Sequence, residues 1–261
     1  MSNTYWADRM AKAQDNISKK NLKQIEKQLK KYYTQAAERC IKDFEDTYNK
    51  VLAAVEEGRE PTPADLYKLD KYWVGQGQLK KELQRLGDRK IKLLSEAFEL
   101  NWFDIYYSID LPNRQAAFNT VDHTIVQQLI NQIWCADGKS WSQRVWADTE
   151  LLAETLNEQL IHCVATGKKS SELKNLLQER FNVSYSNADM IARTELAHIQ
   201  TQAAKQRYTD YGVQEVEVWA DEDERRCEIC GELHEKRYPI GAQVPIPAHP
   251  RCRCCIVPVV D

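Results

Sequence analysis

Residues 5–57 contain no Pro and no Gly, and apolar side chains recur through them at helical spacing. Leu22, Ile25, Leu29, Tyr32, Tyr33, Ala36, Ala37, Cys40, Ile41, Phe44, Tyr48, Val51, Leu52 and Val55 follow a period near 3.6, which predicts a long amphipathic helix or two in tandem. An element of that length commits the first fifth of the chain to helix packing. Gly58 and Pro61-Thr62-Pro63 stop it, and Thr62-Pro63-Ala64-Asp65 reads as an N-cap with Pro at the first helical position. A second helical stretch follows Gly77 through Leu79, Leu83, Leu86, Ile91, Leu94 and Phe98, and the aromatic run Trp102, Phe103, Tyr106, Tyr107 continues it to Pro112. Further helices are expected over Val121–Trp134 and from Ser140 or Ser142 to Gly167. A short one is expected from Ser170 or Ser171 through Phe181. The last is expected from a capping-box-like Ser186-Asn187-Ala188-Asp189 to Tyr208.

After Gly212 the period changes. Val213, Val216, Val218 and Trp219 are β-formers, Tyr238, Ile240, Val244 and Ile246 are extended, and Ile256–Val260 reads as an edge strand because of Pro258. The expectation is a mostly α fold with a small C-terminal β-rich module (α+β). Its divisions are an N-terminal long-helix region (1–118), a central helical domain (119–210) and a β-rich tail (211–261).

Charge excludes some functions. The net charge is -3, so the chain as a whole is no polyanion binder. Residues 1–100 are net +4, 101–220 net -5 and 221–261 net -2. Only Lys12–Lys31 is basic enough to touch phosphates, and a solvated helix face explains it as well. No apolar run reaches the length of a membrane span, and the start lacks a basic-then-apolar leader, so a soluble intracellular chain is expected.

Five of the 8 Cys lie in the last thirty-five residues. Without a leader, such a cluster points to metal before disulfides. The pattern is Cys227-x2-Cys230-x18-His249-x2-Cys252-x-Cys254, five candidates for the four places of a tetrahedral zinc. Cys227 and Cys230 form the first pair and His249 with Cys252 the preferred second, while Cys254 can replace either. Cys255 points away, and His234 is expected at the surface or behind the ligands. Four protein ligands make a structural rather than catalytic site, and a small β-rich tail is the kind of unit a metal staples. Cys40, Cys135 and Cys163 are expected as small buried hydrophobes within helices.

Arg193-Thr194-Glu195 lies within a helix, where positions two apart do not face each other, so each charge must find its partner elsewhere. One reading is a polar tie to the tail; the other is a catalytic carboxylate, Glu195, in a nuclease or transferase. Gly138-Lys139-Ser140 is not a P-loop, because Ile133 stands where its first glycine would be.

Three segments together resemble one family. Asp223-x-Arg225-x-Cys227-x2-Cys230 with Pro247-Ala248-His249-Pro250-x-Cys252-Arg253-Cys254 resembles the C-terminal module of phage minor head proteins, the Mu F-like head morphogenesis proteins. Ile191-Ala192-Arg193-Thr194-Glu195 matches that family's IARTE segment, and Trp134 to Trp146 resembles its midchain element, over roughly residues 130–261 in all. The resemblance implies a non-enzymatic, low-copy protein of the phage or prophage procapsid. It is expected in the virion, and in the host cytoplasm during assembly. Its partners would be the portal, other head proteins and, weakly and without sequence preference, DNA; no membrane contact is implied. Some relatives carry fused toxin or ADP-ribosyltransferase domains. The end of this chain at Asp261 leads to the expectation that no such domain follows.

Overall fold

The computed structural model describes residues 3–56, 77–111, 114–116, 121–166, 168, 170–220, 223–224 and 226–260. The expected N-cap at Thr62-Pro63 lies outside them. The described elements are α1 (Asn3–Glu56), α2 (Gln78–Ser108), α3 (His123–Ile130), α4 (Trp141–Thr166), α5 (Ser170–Asp210), β1 (Glu215–Trp219), α6 (Glu228–Leu233), β2 (Arg237–Pro239) and β3 (Cys255–Pro258). The mostly helical fold with a small C-terminal sheet is as expected. No described helix is long and apolar enough to cross a membrane.

Two elements differ from the sequence reading. The expected break at Ser186–Asp189 is absent, and α5 runs unbroken for 41 residues. Asn187 does not cap a new helix; its Nδ2 donates to Asp148 Oδ1 at 3.0 Å, so the polar side chain is satisfied sideways and the backbone continues. Helix α3 ends at Ile130 rather than Trp134, where Asn131 leaves helical geometry, so Cys135 lies half-buried in a loop rather than in a helix. Gly212, at φ +67, ends α5 in the left-handed conformation that glycine adopts without steric cost.

The chain divides into two compact units, each drawn from separated segments. The second unit comprises Lys27–Lys92 and Ser142–Asp189. Its core is Leu29, Ala37, Phe44, Leu86, Val145, Leu156 and Phe181, all nearly inaccessible. At its centre sits a polar knot to which four helices each give a side chain. Lys90 (α2), fully buried, places Nζ 3.4 Å from Asp148 Oδ2 (α4) and donates to Tyr33 OH (α1) at 3.1 Å. Ser184 Oγ (α5) donates to Asp148 Oδ2 at 2.6 Å. Tyr33, Phe44 and Tyr48 are buried within this unit. These three aromatic side chains of α1 are therefore core, while Tyr32 is half-buried.

The first unit comprises Met1–Glu26, Leu93–Trp141 and Met190–Asp261. Its sheet is antiparallel in the order β2-β1-β3, with Val216↔Tyr238 and Val218↔Ile256 in register. Val216 and Val218 are buried, while Glu217 on the other face accepts from Arg237 Nε at 3.0 Å. β3 is an edge strand, as Pro258 led one to expect, and its outer side is covered. Ile256 O accepts from Gln14 Nε2 of α1 at 3.0 Å and from Tyr208 OH of α5 at 3.3 Å. That capping removes the hazard of an open edge and fastens the tail to two helices.

Candidate metal centre and adjoining groove

β1 delivers the chain to the knuckle. Cys227 is the N-cap of α6, and its Sγ accepts from the Cys230 backbone N–H at 3.4 Å, so the two sulfurs share one side of a tight turn. The return arm runs from β2 through a cis Ile246–Pro247 bond to a turn at His249–Cys252. There Cys252 N–H donates to His249 O at 3.2 Å, and Arg251 adopts a left-handed φ of 61. The Arg251 backbone N–H donates to Thr194 Oγ1 of α5 at 3.0 Å. Arg253 closes on Asp223 with two bonds, of 2.6 and 2.5 Å, fixing the loop before the knuckle.

All five sequence-predicted ligands meet here. The ligand atoms of Cys227, Cys230 and His249 lie within 4.8 Å of one another, and so do those of Cys230, Cys252 and Cys254. His249 Nε2 is 3.2 Å from Cys227 Sγ and 3.1 Å from Cys230 Sγ, and Cys230 Sγ is 3.8 Å from Cys252 Sγ. Two thiolates on a tetrahedral zinc, each at about 2.3 Å, stand about 3.8 Å apart, so the sulfur pair already has ligand spacing. Cys255 belongs to neither group, and His234 accepts from the Ala220 backbone N–H at 3.2 Å with its ring edge-on to Trp219.

The protonation of the cluster is divided. The Cys230 N–H lowers the Cys227 thiol, and a hydrogen bond with Cys254 lowers Cys252 to about 5. Burial pushes Cys230 up to about 12, while the bond to Cys252 pushes Cys254 up. The Pro250 carbonyl, bonded to His249 Nδ1 at 2.8 Å, raises His249. Soft donors this close cannot all give up their protons without a positive charge among them. A bound cation supplies that charge, and the cluster can hold one.

The ARTE segment lies beside this cluster. Arg193 pairs with Glu26 of α1, and Glu195, 1% exposed, accepts from Trp134 Nε1 at 2.9 Å. Thr194, between them, reaches the tail by accepting the Arg251 N–H. The Trp134 indole lies flat on His198, with 4.2 Å between ring centroids and 4° between planes. Along this stack runs a groove of about 660 Å³ between α5 and residues 241–250, with Trp134–Ala136 on its lining. Thr194, His198, Thr201 and Lys205 mark its helix wall, and His249 lies on both groove and cluster. Glu195 is not among the groove's lining residues. Nothing in the sequence pattern announced the groove beyond the Trp134 element and the IARTE segment, which turn out to be neighbours.

The fold and its site can be set beside known proteins. The chain is 25% identical over 182 residues to the NAD(+)--arginine ADP-ribosyltransferase EFV of Enterococcus faecalis (strain ATCC 700802 / V583). That match covers 62% of this chain and 37% of the relative, so the chain spans little more than a third of that protein's length. No solved structure matches. Residues 154–257, which hold the end of α4, all of α5, the sheet and the cysteine cluster, match the family described as phage Mu protein F like protein. Over that span the chain is similar to the phage Mu protein F-like proteins.

Proposed function

We propose that the chain is a phage or prophage minor head protein that acts in head assembly without catalysing a reaction, with its tail (211–261) held by one structural zinc. The family match over residues 154–257 carries the head-protein reading. The zinc reading rests on five soft donors at ligand spacing, of which Cys227, Cys230, His249 and Cys252 are the preferred four and Cys254 the alternate. Zinc there would take the negative charge of the thiolates and lock the knuckle against the return arm. The residues themselves orient the site. Cys227 caps α6, Pro250 holds the His249 ring, and Thr194 and Asp223 anchor the two loops.

The portal and other head proteins are the proposed partners. DNA is a proposed weak and non-specific one through Lys20, Lys23, Lys27, Lys30 and Lys31, which are all exposed. A transferase reading draws support from the name of the relative. It needs an accessible carboxylate, and the burial of Glu195 against Trp134 speaks for a structural role instead. Co-expression with the portal from the same phage genome tests the proposal. The chain should sediment with the portal and be present in purified heads; its absence from both sinks the reading.

A further inference from the structure

Among the described residues, Glu235 and Arg251 combine a side chain with a positive φ, and Arg251 stands between two donors of the cluster, His249 and Cys252. His249-Pro250-Arg251-Cys252 is a turn closed by the bond from Cys252 N–H to His249 O at 3.2 Å. Proline at its second place and a positive φ at its third are the marks of a type II turn, whose third place ordinarily holds Gly or Asn. Arginine there carries a steric cost that glycine does not. The turn nevertheless decides where the two donors stand, because they are its first and last residues.

What holds Arg251 in this conformation comes from another part of the chain. Its backbone N–H donates to Thr194 Oγ1 of α5 at 3.0 Å. The same hydroxyl gives its own proton to Met190 O, one turn back in the helix, at 2.7 Å, which fixes its rotamer and leaves a lone pair for the tail. The neighbours fix the helix itself. Arg193 pairs with Glu26 of α1, and Glu195 accepts from Trp134 Nε1 at 2.9 Å, so ties on either side of Thr194 set the rotation of α5 at this level.

We propose that Thr194 is a positioning residue for the metal centre: it holds Arg251 in the left-handed conformation and thereby keeps His249 and Cys252 turned to the Cys227–Cys230 knuckle. The inference rests on the metal reading of the cluster and adds to it a residue that supplies no ligand atom. It also gives Arg193-Thr194-Glu195 one role, in which the two charges orient the helix and the hydroxyl between them shapes the site.

The zinc affinity of the full chain, measured by competition with a chromophoric chelator, tests this. Thr194→Val keeps the shape of the side chain and removes the acceptor. It should raise the zinc Kd about tenfold to a hundredfold, the usual loss when a partner behind the ligands is removed, with far-UV circular dichroism unchanged. Thr194→Ser, which restores the acceptor, should stay close to wild type. Thr201→Val removes a hydroxyl of the same helix that bonds Ala197 O at 3.0 Å instead of the tail, and should leave the Kd unchanged. Glycine adopts a positive φ freely, so Arg251→Gly added to Thr194→Val should recover most of the lost affinity, a gain that misfolding cannot imitate. Wild-type protein that binds no zinc overturns the metal reading and this inference together. Zinc bound equally by wild type and Thr194→Val, a loss as large for Thr194→Ser or Thr201→Val, or no recovery in the Thr194→Val/Arg251→Gly protein overturns this inference alone.

Discussion

Asp148→Asn is the most informative single change outside the cysteine cluster. The substitution keeps shape and removes one charge. In the native protein the Asp148 carboxylate accepts from Ser184 Oγ at 2.6 Å and Asn187 Nδ2 at 3.0 Å. Tyr33 OH donates to it at 3.3 Å, and Lys90 Nζ faces it at 3.4 Å. Lys90 is fully inaccessible, and burial lowers its pKa against the pull of Asp148. An amide keeps one acceptor oxygen for Ser184 but leaves the ammonium without a counter-charge. Breaking a buried pair in this way costs about 3–5 kcal/mol, equivalent to roughly 6–20 °C in Tm for a domain of this size. Lys90→Met alone should also destabilise. The double variant carries neither charge, so its loss should fall short of the summed single losses by about 2–3 kcal/mol. Asp15→Asn, which breaks the exposed pair with Lys19, is the control and should shift stability by less than about 0.5 kcal/mol. Urea unfolding followed by far-UV circular dichroism reads all of these. If Asp148→Asn costs less than about 1 kcal/mol, or if the single losses simply add, then the four helices do not depend on this knot.

Purified, reduced protein should carry about one zinc per chain, and Cys227→Ser or Cys230→Ser should lose it; metal analysis that finds none in the wild type rules the centre out. Chelation should release residues 220–254 to hydrogen exchange while β3 stays protected, because Gln14 and Tyr208 hold Ile256 independently of the cluster. Acidification should release the metal as protons compete for His249 and the thiolates, so a zinc content unchanged on going from pH 7.5 to about pH 4.5 contradicts the ligand set. Replacing Lys20, Lys23, Lys27 and Lys30 with Gln should abolish a salt-sensitive gel shift with duplex DNA and leave zinc content untouched; equal shifts for both proteins mean that the stripe is only solvated.

Much of the site was legible in order along the chain. A Cys-x2-Cys knuckle and a His-Pro-x-Cys-x-Cys return arm put five soft donors within twenty-eight residues, and the fold gathers them into a cluster that could hold a metal ion. The absence of Gly and Pro through residues 5–57 declared α1. Misreadings fell where short polar side chains carry two meanings. Ser186-Asn187-Ala188-Asp189 has the composition of a helix start, yet Asn187 spends its amide on Asp148, thirty-nine residues away, and α5 continues.

Local sequence determined the elements themselves: helical periodicity, the stop at Gly212, the edge character of the Pro258 strand and the donor types of the cluster. These depend on backbone geometry and side-chain chemistry within a few residues. Tertiary structure decided what those elements are for. Tyr33 and Tyr48 of α1 are core because they find partners more than a hundred residues away, at Ser184 and Cys163. Lys90 looks like any surface lysine until Asp148 is opposite it. Thr194, flanked by two charges that draw the eye, is the residue that receives the tail's backbone. Burial and charge compensation are properties of pairs that meet only when the chain is folded, and no window along the sequence contains both members.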